Sequence, residues 1–394
     1  METVDVAVVS THVAPAKGYG GIAECVGRVA QAWAQDGRRF RLCASDASEG
    51  APLTPADLGL PPGVTVELYA TRRWLRFGFG LGAVPALLRA CRGARVVYVN
   101  GLGTWPVTLA AIICAVLGRP MVVALHAGLM RPHVAIIRAR KPHKWAFYRL
   151  LTLPALRRAA ALHLTSTLEE DGLDTWAPGL PRVIVPNGLD LGEWPVLPPR
   201  APDGGLTLCY VGRFSPEKGI LRFLRAWRRA RGPGDRLLLA GSGEGAYADA
   251  VAAEAAACGG AVESLGYLDR AGVQAVLARA DMLVLPSGIE DGDLRENFGN
   301  VVVEAMAAAR PVLVARGLAW DRVEDEGAGL VFDGNEDGIA AALQRAAALP
   351  PAERAAMGTR GRAWAERSFD IRRTAEDLWD LMQCCAAGLP PHRR

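Results

Sequence analysis

Two carboxylates, Glu296 and Glu304, stand eight residues apart in the run ENFGNVVVEAMAA (296–308). Val301, Val302, Val303, Ala305 and Met306 surround Glu304, so the helix expected here shows no polar face, and a helix apolar all round is normally buried. A buried carboxylate with no partner is costly or takes up a proton. Phe298, Gly299 and Asn300 should present free N–H groups where that helix starts, and such donors suit a phosphate or sugar hydroxyls. Glu304 falls one turn further in, on the side of Asn300. The two hydroxyls of a ribose would satisfy it, since a carboxylate accepts two hydrogen bonds from a vicinal diol. A salt bridge to a core arginine would satisfy it as well.

Cations form a second group. VGRFSPEKGI (211–220) puts Arg213 and Lys218 in one short loop ahead of a helix expected over 217–231. Guanidinium and ammonium both pair with phosphate oxygens, so two fixed cations at a helix mouth suit a diphosphate. The G-K-[ST] order of a nucleotide phosphate loop is absent, and an exposed basic turn fits the same residues. A third stretch, THVAPAKGYGGIAE (11–24), carries Gly18, Gly20 and Gly21, which would let backbone approach an anion at a helix N-terminus. A conformational role in the turn explains those glycines equally well.

These loops need a scaffold, and the alternation around them supplies one. VDVAVV (4–9), FRLCAS (40–45), VVYVN (96–100), MVVALH (121–126), AALHLTS (160–166) and RVIVP (182–186) read as buried strands with helices between them. The stripe Ile22, Val26, Val29, Ala30 and Trp33, ended by Gly37, is one such helix. After the Pro- and Gly-rich EWPVLPPRAPDGG (193–205) a second series follows: LTLCYVG, RLLLAG, AVESLG, MLVLP, PVLVA and GLVF, between 206 and 332. Strands alternating with helices imply parallel sheets, whose ligands sit in the loops at the strand C-termini. The fold class is therefore α/β, with two doubly wound domains: 1–198, 199–372, and a terminal helix over 373–394 that can pack back on the first.

Composition narrows the function. The 394 residues carry 51% apolar and 22% charged side chains and a net charge of +4, which suits a soluble globular protein and gives no argument for nucleic acid. Eight cysteines show no CxxC pair and no zinc spacing, so reduced buried thiols and a cytoplasmic setting are expected. No signal peptide is read at the start. PVTLAAIICAVL, from Pro106, is shorter than the about 20 residues that span a bilayer and reads as a core helix.

Taken together, ENFGNVVVE (an E-x7-E), GRFSPEKG (a G-R-x4-K-G), YGGIAE, ALHAG with His126, and RVIVPNGLDLGEW resemble the retaining glycosyltransferases of family 4, of the group 1 type. The resemblance implies a GT-B fold, two Rossmann-like domains with a cleft between them. It implies transfer of a sugar from a nucleoside-diphosphate sugar to an acceptor hydroxyl, with retention, by a hexosyltransferase-type enzyme of cell-surface polysaccharide or glycolipid assembly. By the same resemblance Arg213 and Lys218 take the diphosphate and Glu304 the ribose. Glu296 takes the sugar hydroxyls beside the N–H groups of Phe298, Gly299 and Asn300. The base lies near Gly241 and Tyr267, Gly20 and Gly21 line the donor site, and His126 comes from the first domain to the reacting sugar. Neither cofactor nor metal is expected. Asp291-Gly292-Asp293 looks like the metal-binding D-x-D of another glycosyltransferase fold, but a solvated acidic turn is the preferred reading, and Arg213 with Lys218 can neutralise a diphosphate.

Two departures from the family pattern stand out: SGIEDGDLREN (287–297) is a long approach to Glu296, and Ala309-Arg310 occupies a turn where Gly is common. The alternatives are a nucleotide-sugar epimerase of the same shape and a non-catalytic nucleotide-sugar-binding partner. The acceptor expected is a saccharide or lipid-linked saccharide. RRWLRFGFG (72–80) and the stretch 131–158 interleave Arg and Lys with Trp, Phe and Tyr, which suits an anionic membrane surface, although two ordinary helices with solvated cations fit too.

Overall fold

The computed structural model describes residues 3–201, 204–288 and 296–391. The chain divides into two compact units, 1–188 with 371–394, and 189–370. In the first, β1 (Val4–Ser10), β2 (Phe40–Ser45), β3 (Thr65–Tyr69), β4 (Ala94–Asn100), β5 (Met121–Ala124), β6 (Ala161–Leu164) and β7 (Arg182–Ile184) form one sheet in the order β3-β2-β1-β4-β5-β6-β7. All neighbours are parallel, with Val6 level with Phe40 on one side and Val96 on the other. In the second, β8 (Thr207–Val211), β9 (Arg236–Ala240), β10 (Val262–Gly266), β11 (Met282–Leu285), β12 (Val312–Ala315) and β13 (Gly329–Phe332) run β10-β9-β8-β11-β12-β13, again parallel throughout.

Both faces of these sheets are covered, which is why the central strands read as unbroken apolar runs: Val6, Ala7, Val8 and Val9 are all at most 1% exposed. β3 is the strand that the sequence reading omits. TVELY lies at the sheet edge, where Thr65 is exposed and Val66, Glu67 and Leu68 are half-buried, so no continuous apolar run marks it. The helix Gly21–Gln35 buries Val26, Val29, Ala30 and Trp33 but leaves Ile22 exposed. The apolar run from Pro106 forms the helix Trp105–Leu117, with Val107, Ala110 and Cys114 in the core. All eight cysteines are free thiols, seven of them buried.

The units divide after Gly188, ten residues before the boundary suggested by the Pro-rich linker. Leu189, Leu191 and Trp194 cause this, because all three are buried in the core of the second unit. The chain re-enters the first unit at Ile371. There the helix Ile371–Ala386 places Leu378, Leu381 and Met382 in one cluster with Val6, Val8 and Trp33, and the Trp33 indole N–H donates to the Ala375 carbonyl at 2.7 Å.

In each sheet the strand order reverses once, between β1 and β4 and between β8 and β11. Loops leaving the strand C-termini part there to opposite faces and leave a crevice, the place where such sheets bind ligands.

Candidate functional site

In the second unit the loops around the reversal bring the two groups of charged residues together. The buried Tyr210 on β8 donates its phenol hydrogen to the Arg213 carbonyl at 2.8 Å, which ties the loop to the strand. Burial first, and then the negative charge of Glu296, pushes the Tyr210 phenol well above its ordinary range, so it stays a donor. The loop closes in a single 3-10 turn, Pro216–Lys218, followed by Gly219 at φ +65°. The helix therefore spans Ile220–Ala230 rather than starting at Glu217, and Lys218 projects from the turn at its mouth. Gly288 N–H donates to the Glu217 carbonyl at 3.0 Å and stitches the β11 loop to the β8 loop. Across this seam Lys218 Nζ pairs with the Glu296 carboxylate, with both side chains about one-fifth exposed. Arg213 is different: its side chain is 75% exposed and reaches Glu217 only at 3.7 Å, a screened contact that leaves the guanidinium able to take an anion.

The neighbouring loops stack in sheet order. A Cβ on Gly241 would lie 1.9 Å from the Gly212 carbonyl oxygen, so only glycine lets the β9 loop lie on the β8 loop, where Phe214 N–H also donates to the Ser242 carbonyl at 2.8 Å. Gly241 N–H in turn donates to the Gly266 carbonyl at 2.7 Å, and Tyr267 beside it is 81% exposed. Arg213, Lys218, Glu296, Gly241 and Tyr267 thus lie on adjoining loops of one unit.

The helix Asn300–Ala307 corrects one expectation. Val302, Val303, Ala305, Met306 and Ala307 are buried, but Asn300, Val301 and Glu304 are half-buried, so Glu304 occupies an open stripe one turn beyond Asn300. An apolar sequence concealed that stripe because Val301 shares it. Gly299 precedes the helix at φ +75°, and a Cβ there would come within 3.2 Å of the Glu296 Cγ and 3.1 Å of Leu285.

Around His12 and His126 the loops of the first unit rely mainly on neutral groups. Gly20, at φ +70°, and Gly21 are exposed at the start of the 15-residue helix Gly21–Gln35, which has no side-chain cap. Ahead of them the His12 and Tyr19 rings stack at 3.5 Å and 10°, and His12 Nε2 lies 3.0 Å from the Leu75 carbonyl oxygen. Burial is the main cause that lowers the His12 pKa to about 4.

His126 follows β5 with its backbone at φ +45°, and Ala127 after it is at φ +66°, a left-handed pair that non-glycine residues rarely adopt. The network fixes the His126 tautomer. The Ser10 hydroxyl donates to the His12 carbonyl at 2.7 Å and accepts from Asn100 Nδ2 at 3.2 Å. Asn100 therefore turns Oδ1 to His126 Nε2, 2.8 Å away, which must carry the proton and leaves Nδ1 as an acceptor. Burial lowers the His126 pKa, and the charge of Glu169 works against that shift.

Glu169, 1% exposed, accepts from Ala127 N–H at 3.0 Å, Thr165 N–H at 2.9 Å and the Thr165 hydroxyl at 2.6 Å. It clamps the strained turn. The sequence reading passed over Glu169, Asn100 and Tyr210; a Thr and a Glu four residues apart at the end of a buried strand was the available signal for the first.

The acidic triplet Asp291-Gly292-Asp293 and the long approach to Glu296 lie outside the described residues, apart from residues 287–288 and 296–297. Among the described residues no group of three or more His, Cys, Asp or Glu side chains could hold a metal ion, and no helix is long and apolar enough to cross a membrane.

Comparison with known proteins adds to this geometry. Residues 205–348 match the family described as Glycosyl transferases group 1, and residues 20–188 match the Glycosyl transferase 4-like domain. Among curated proteins, a glycogen synthase of Mycobacterium tuberculosis is 33% identical over 156 residues, 38% of this chain and 36% of that protein. A phosphatidyl-myo-inositol mannosyltransferase of Mycolicibacterium smegmatis is 34% identical over 174 residues, 42% of each chain. A D-inositol 3-phosphate glycosyltransferase of Kineococcus radiotolerans is 31% identical over 240 residues, 49% of this chain and 52% of that one. The matched segments thus span between about a third and a half of these relatives. Among solved structures, sucrose-phosphate synthase from Thermosynechococcus elongatus superposes with a TM-score of 0.73 at 20% identity, covering 98% of this chain and all of that one. The Anabaena protein HepE in complex with UDP-glucose gives 0.69 at 16%, covering 98% and 100%. At those identities the likeness is one of fold.

Proposed function

Since the chain belongs to the group 1 glycosyl transferases and has the GT-B fold, we propose that it moves a sugar from a nucleoside-diphosphate sugar to an acceptor hydroxyl, with retention at the anomeric carbon. The observation that carries this reading is the meeting of Lys218 and Glu296 where the second sheet reverses, with Arg213 on the same loop. Arg213 and Lys218 hold the diphosphate, and Glu304 takes the ribose. Glu296 takes the sugar hydroxyls, and the N–H groups of Phe298, Gly299 and Asn300 lie beside it, open to a phosphate or sugar oxygen. The base is assigned to the loops of Gly241 and Tyr267, and Gly20, Gly21 and His126 to the sugar side of the donor.

The reaction breaks the bond from the anomeric carbon to the diphosphate oxygen while the acceptor oxygen bonds to that carbon on the same face. The acceptor's proton passes to the departing phosphate. Charge builds on the leaving oxygens as the bond lengthens, and fixed cations stabilise it most at that moment. Pairing with Glu296 keeps Lys218 against the loop instead of swinging in solvent, so less ordering remains to be done when the diphosphate binds. His126, neutral and with its tautomer fixed, contributes a hydrogen-bond acceptor rather than a charge. Two cations supply the neutralisation, so turnover should survive a chelator; loss restored by Mg²⁺ or Mn²⁺ would overturn that part. A screen of UDP-, GDP-, ADP- and dTDP-sugars by thermal shift, followed by NMR of the anomeric product, tests the whole reading. One donor should stabilise the protein and give a product that retains the donor's anomeric configuration. Interconversion of the donor sugar without acceptor would indicate an epimerase, and binding without turnover a non-catalytic partner.

The acceptor is assigned to the first unit, as a saccharide or lipid-linked saccharide at the cytoplasmic face of a membrane. The Phe77 ring meets that of Phe147 at 5.3 Å, which joins the two basic-aromatic stretches into one surface. Trp74 (69% exposed) and Leu150 (73%) stand on these stretches with exposed Arg73, Arg76 and Arg149, and Leu81 (76%) follows directly after the first. Arg72 is committed instead to Asp46 at 2.8 Å. Sedimentation should show salt-sensitive binding to anionic liposomes, weakened by Arg73→Glu with Arg76→Glu. No binding at low salt would leave a soluble acceptor as the reading.

A further inference from the structure

Beside the charged cluster lies an aromatic one that the proposed reaction does not use. Trp320, 1% exposed, packs against Phe298 at 5.1 Å between ring centroids, Phe369 at 5.3 Å and Trp364 at 5.8 Å. An indole N–H buried among rings needs an acceptor, and here it donates to the main-chain carbonyl of Phe298. That carbonyl shares its peptide unit with the N–H of Gly299. In a planar trans peptide the C=O and the N–H point in opposite directions. Turning the carbonyl into the cage therefore turns the Gly299 N–H out of it, at the start of the helix Asn300–Ala307, whose first N–H groups have no partner within the helix. Gly299 N–H donates to no acceptor among the described residues. With glycine at φ +75°, where a Cβ would crowd the Glu296 Cγ at 3.2 Å, the orientation of this peptide is held by the indole and not by a side chain of its own.

We infer that Trp320 is a positioning residue for the donor: its indole N–H fixes the 298–299 peptide so that the Gly299 N–H meets an oxygen of the bound diphosphate sugar. This rests on the donor reading above. A nucleoside diphosphate should feel the loss of Trp320's hydrogen while a bare nucleoside should not. Trp320→Phe keeps a ring in the cage and removes the N–H. Replacement of Trp320 by 3-benzothienyl-alanine changes only the N–H to sulfur and covers the case in which the smaller ring unsettles the fold.

The experiment is isothermal titration of the parent and both variants with the nucleoside diphosphate selected by the donor screen and with its nucleoside, together with KM and kcat for the donor. The inference predicts diphosphate binding weakened by about ten-fold or more, the value of one hydrogen bond to a charged oxygen, with a matching rise in KM and nucleoside binding unchanged. Equal diphosphate affinity in the benzothienyl variant would overturn it, as would an equal loss for nucleoside and diphosphate, which would make Trp320 a support of the fold. Failure of the parent itself to bind any nucleoside diphosphate would sink the donor reading and this inference with it.

Discussion

The two units share one scaffold and differ in their chemistry. Each is a parallel sheet whose order reverses once, and in each the residues singled out lie in the loops at the strand C-termini or at the start of the helix that follows. The first unit carries all six histidines of the chain and the second none. Around His126 the first unit uses hydrogen bonds among neutral groups, a strained turn and one fully bonded carboxylate. Around Lys218 the second uses ions. A fold provides the crevice and the loops provide the chemistry, so the two crevices should respond to different perturbations. Charge removal should act on the second, and loss of hydrogen-bond geometry or acid on the first.

The largest effect is expected in the second unit. Lys218→Ala should cut turnover by roughly two to three orders of magnitude, the usual consequence of removing a group that stabilises charge in the transition state. Arg213→Ala should act in the same sense. Turnover within about two-fold of the parent for both variants would erase the contrast between ionic and neutral sites.

Next comes the clamp of the first unit. In Glu169→Gln an amide replaces a carboxylate that accepts three hydrogen bonds, so one donor meets another donor and the turn at His126 and Ala127 loosens. We expect about a ten-fold loss of kcat with diphosphate affinity retained. NMR should show the His126 pKa falling further, because the opposing charge is gone. An unmoved His126 titration would show that Glu169 does not act through that ring.

Acid should separate the units in stability. His12 and His163 each have a folded pKa of about 4 against 6.5 in the unfolded chain, with burial the main cause in both. Above pH 6.5 both states are neutral and nothing is lost. As the pH falls from 6.5 towards 4 the unfolded chain takes up protons that the folded one refuses. Stability then drops by up to about 1.4 kcal/mol per pH unit for each histidine. Hydrogen exchange, corrected for intrinsic rates, should show the first unit losing protection before the second over that range. Parallel loss in both would contradict it.

The smallest effect concerns the departure at Ala309. It adopts φ +55°, while the buried Arg310 beside it donates to the Leu277 and Pro198 carbonyls. Ala309→Gly should remove a left-handed Cβ and stabilise by about 1 kcal/mol, raising Tm slightly without changing activity. A lower Tm would show that the entropy glycine adds to the unfolded chain outweighs the relief.

Much of the fold was legible in the chain because local pattern and burial coincided. Central strands bury both faces, so runs such as VDVAVV announced the sheets, while TVELY at an edge did not. That Arg213 and Lys218 share one loop was legible from their spacing. Their seam to Glu296 was not, since Lys218 and Glu296 are 78 residues apart and meet only through strand order. Glu169 and Trp320 were hidden for a related reason: each acts on backbone groups, Ala127 N–H and the Phe298 carbonyl, and backbone carries no sequence signature. Glu304 misled in the other direction, because Val301 made a half-open stripe look like core.

The proposed donor site depends on Arg213 and Lys218 holding a nucleoside diphosphate. Isothermal titration of the parent, Arg213→Ala and Lys218→Ala with a nucleoside diphosphate and the matching nucleoside tests it most directly. Each substitution should weaken diphosphate binding at least ten-fold, leave nucleoside binding unchanged and lower the salt dependence of the diphosphate titration. Diphosphate affinity in both variants equal to that of the parent would contradict it.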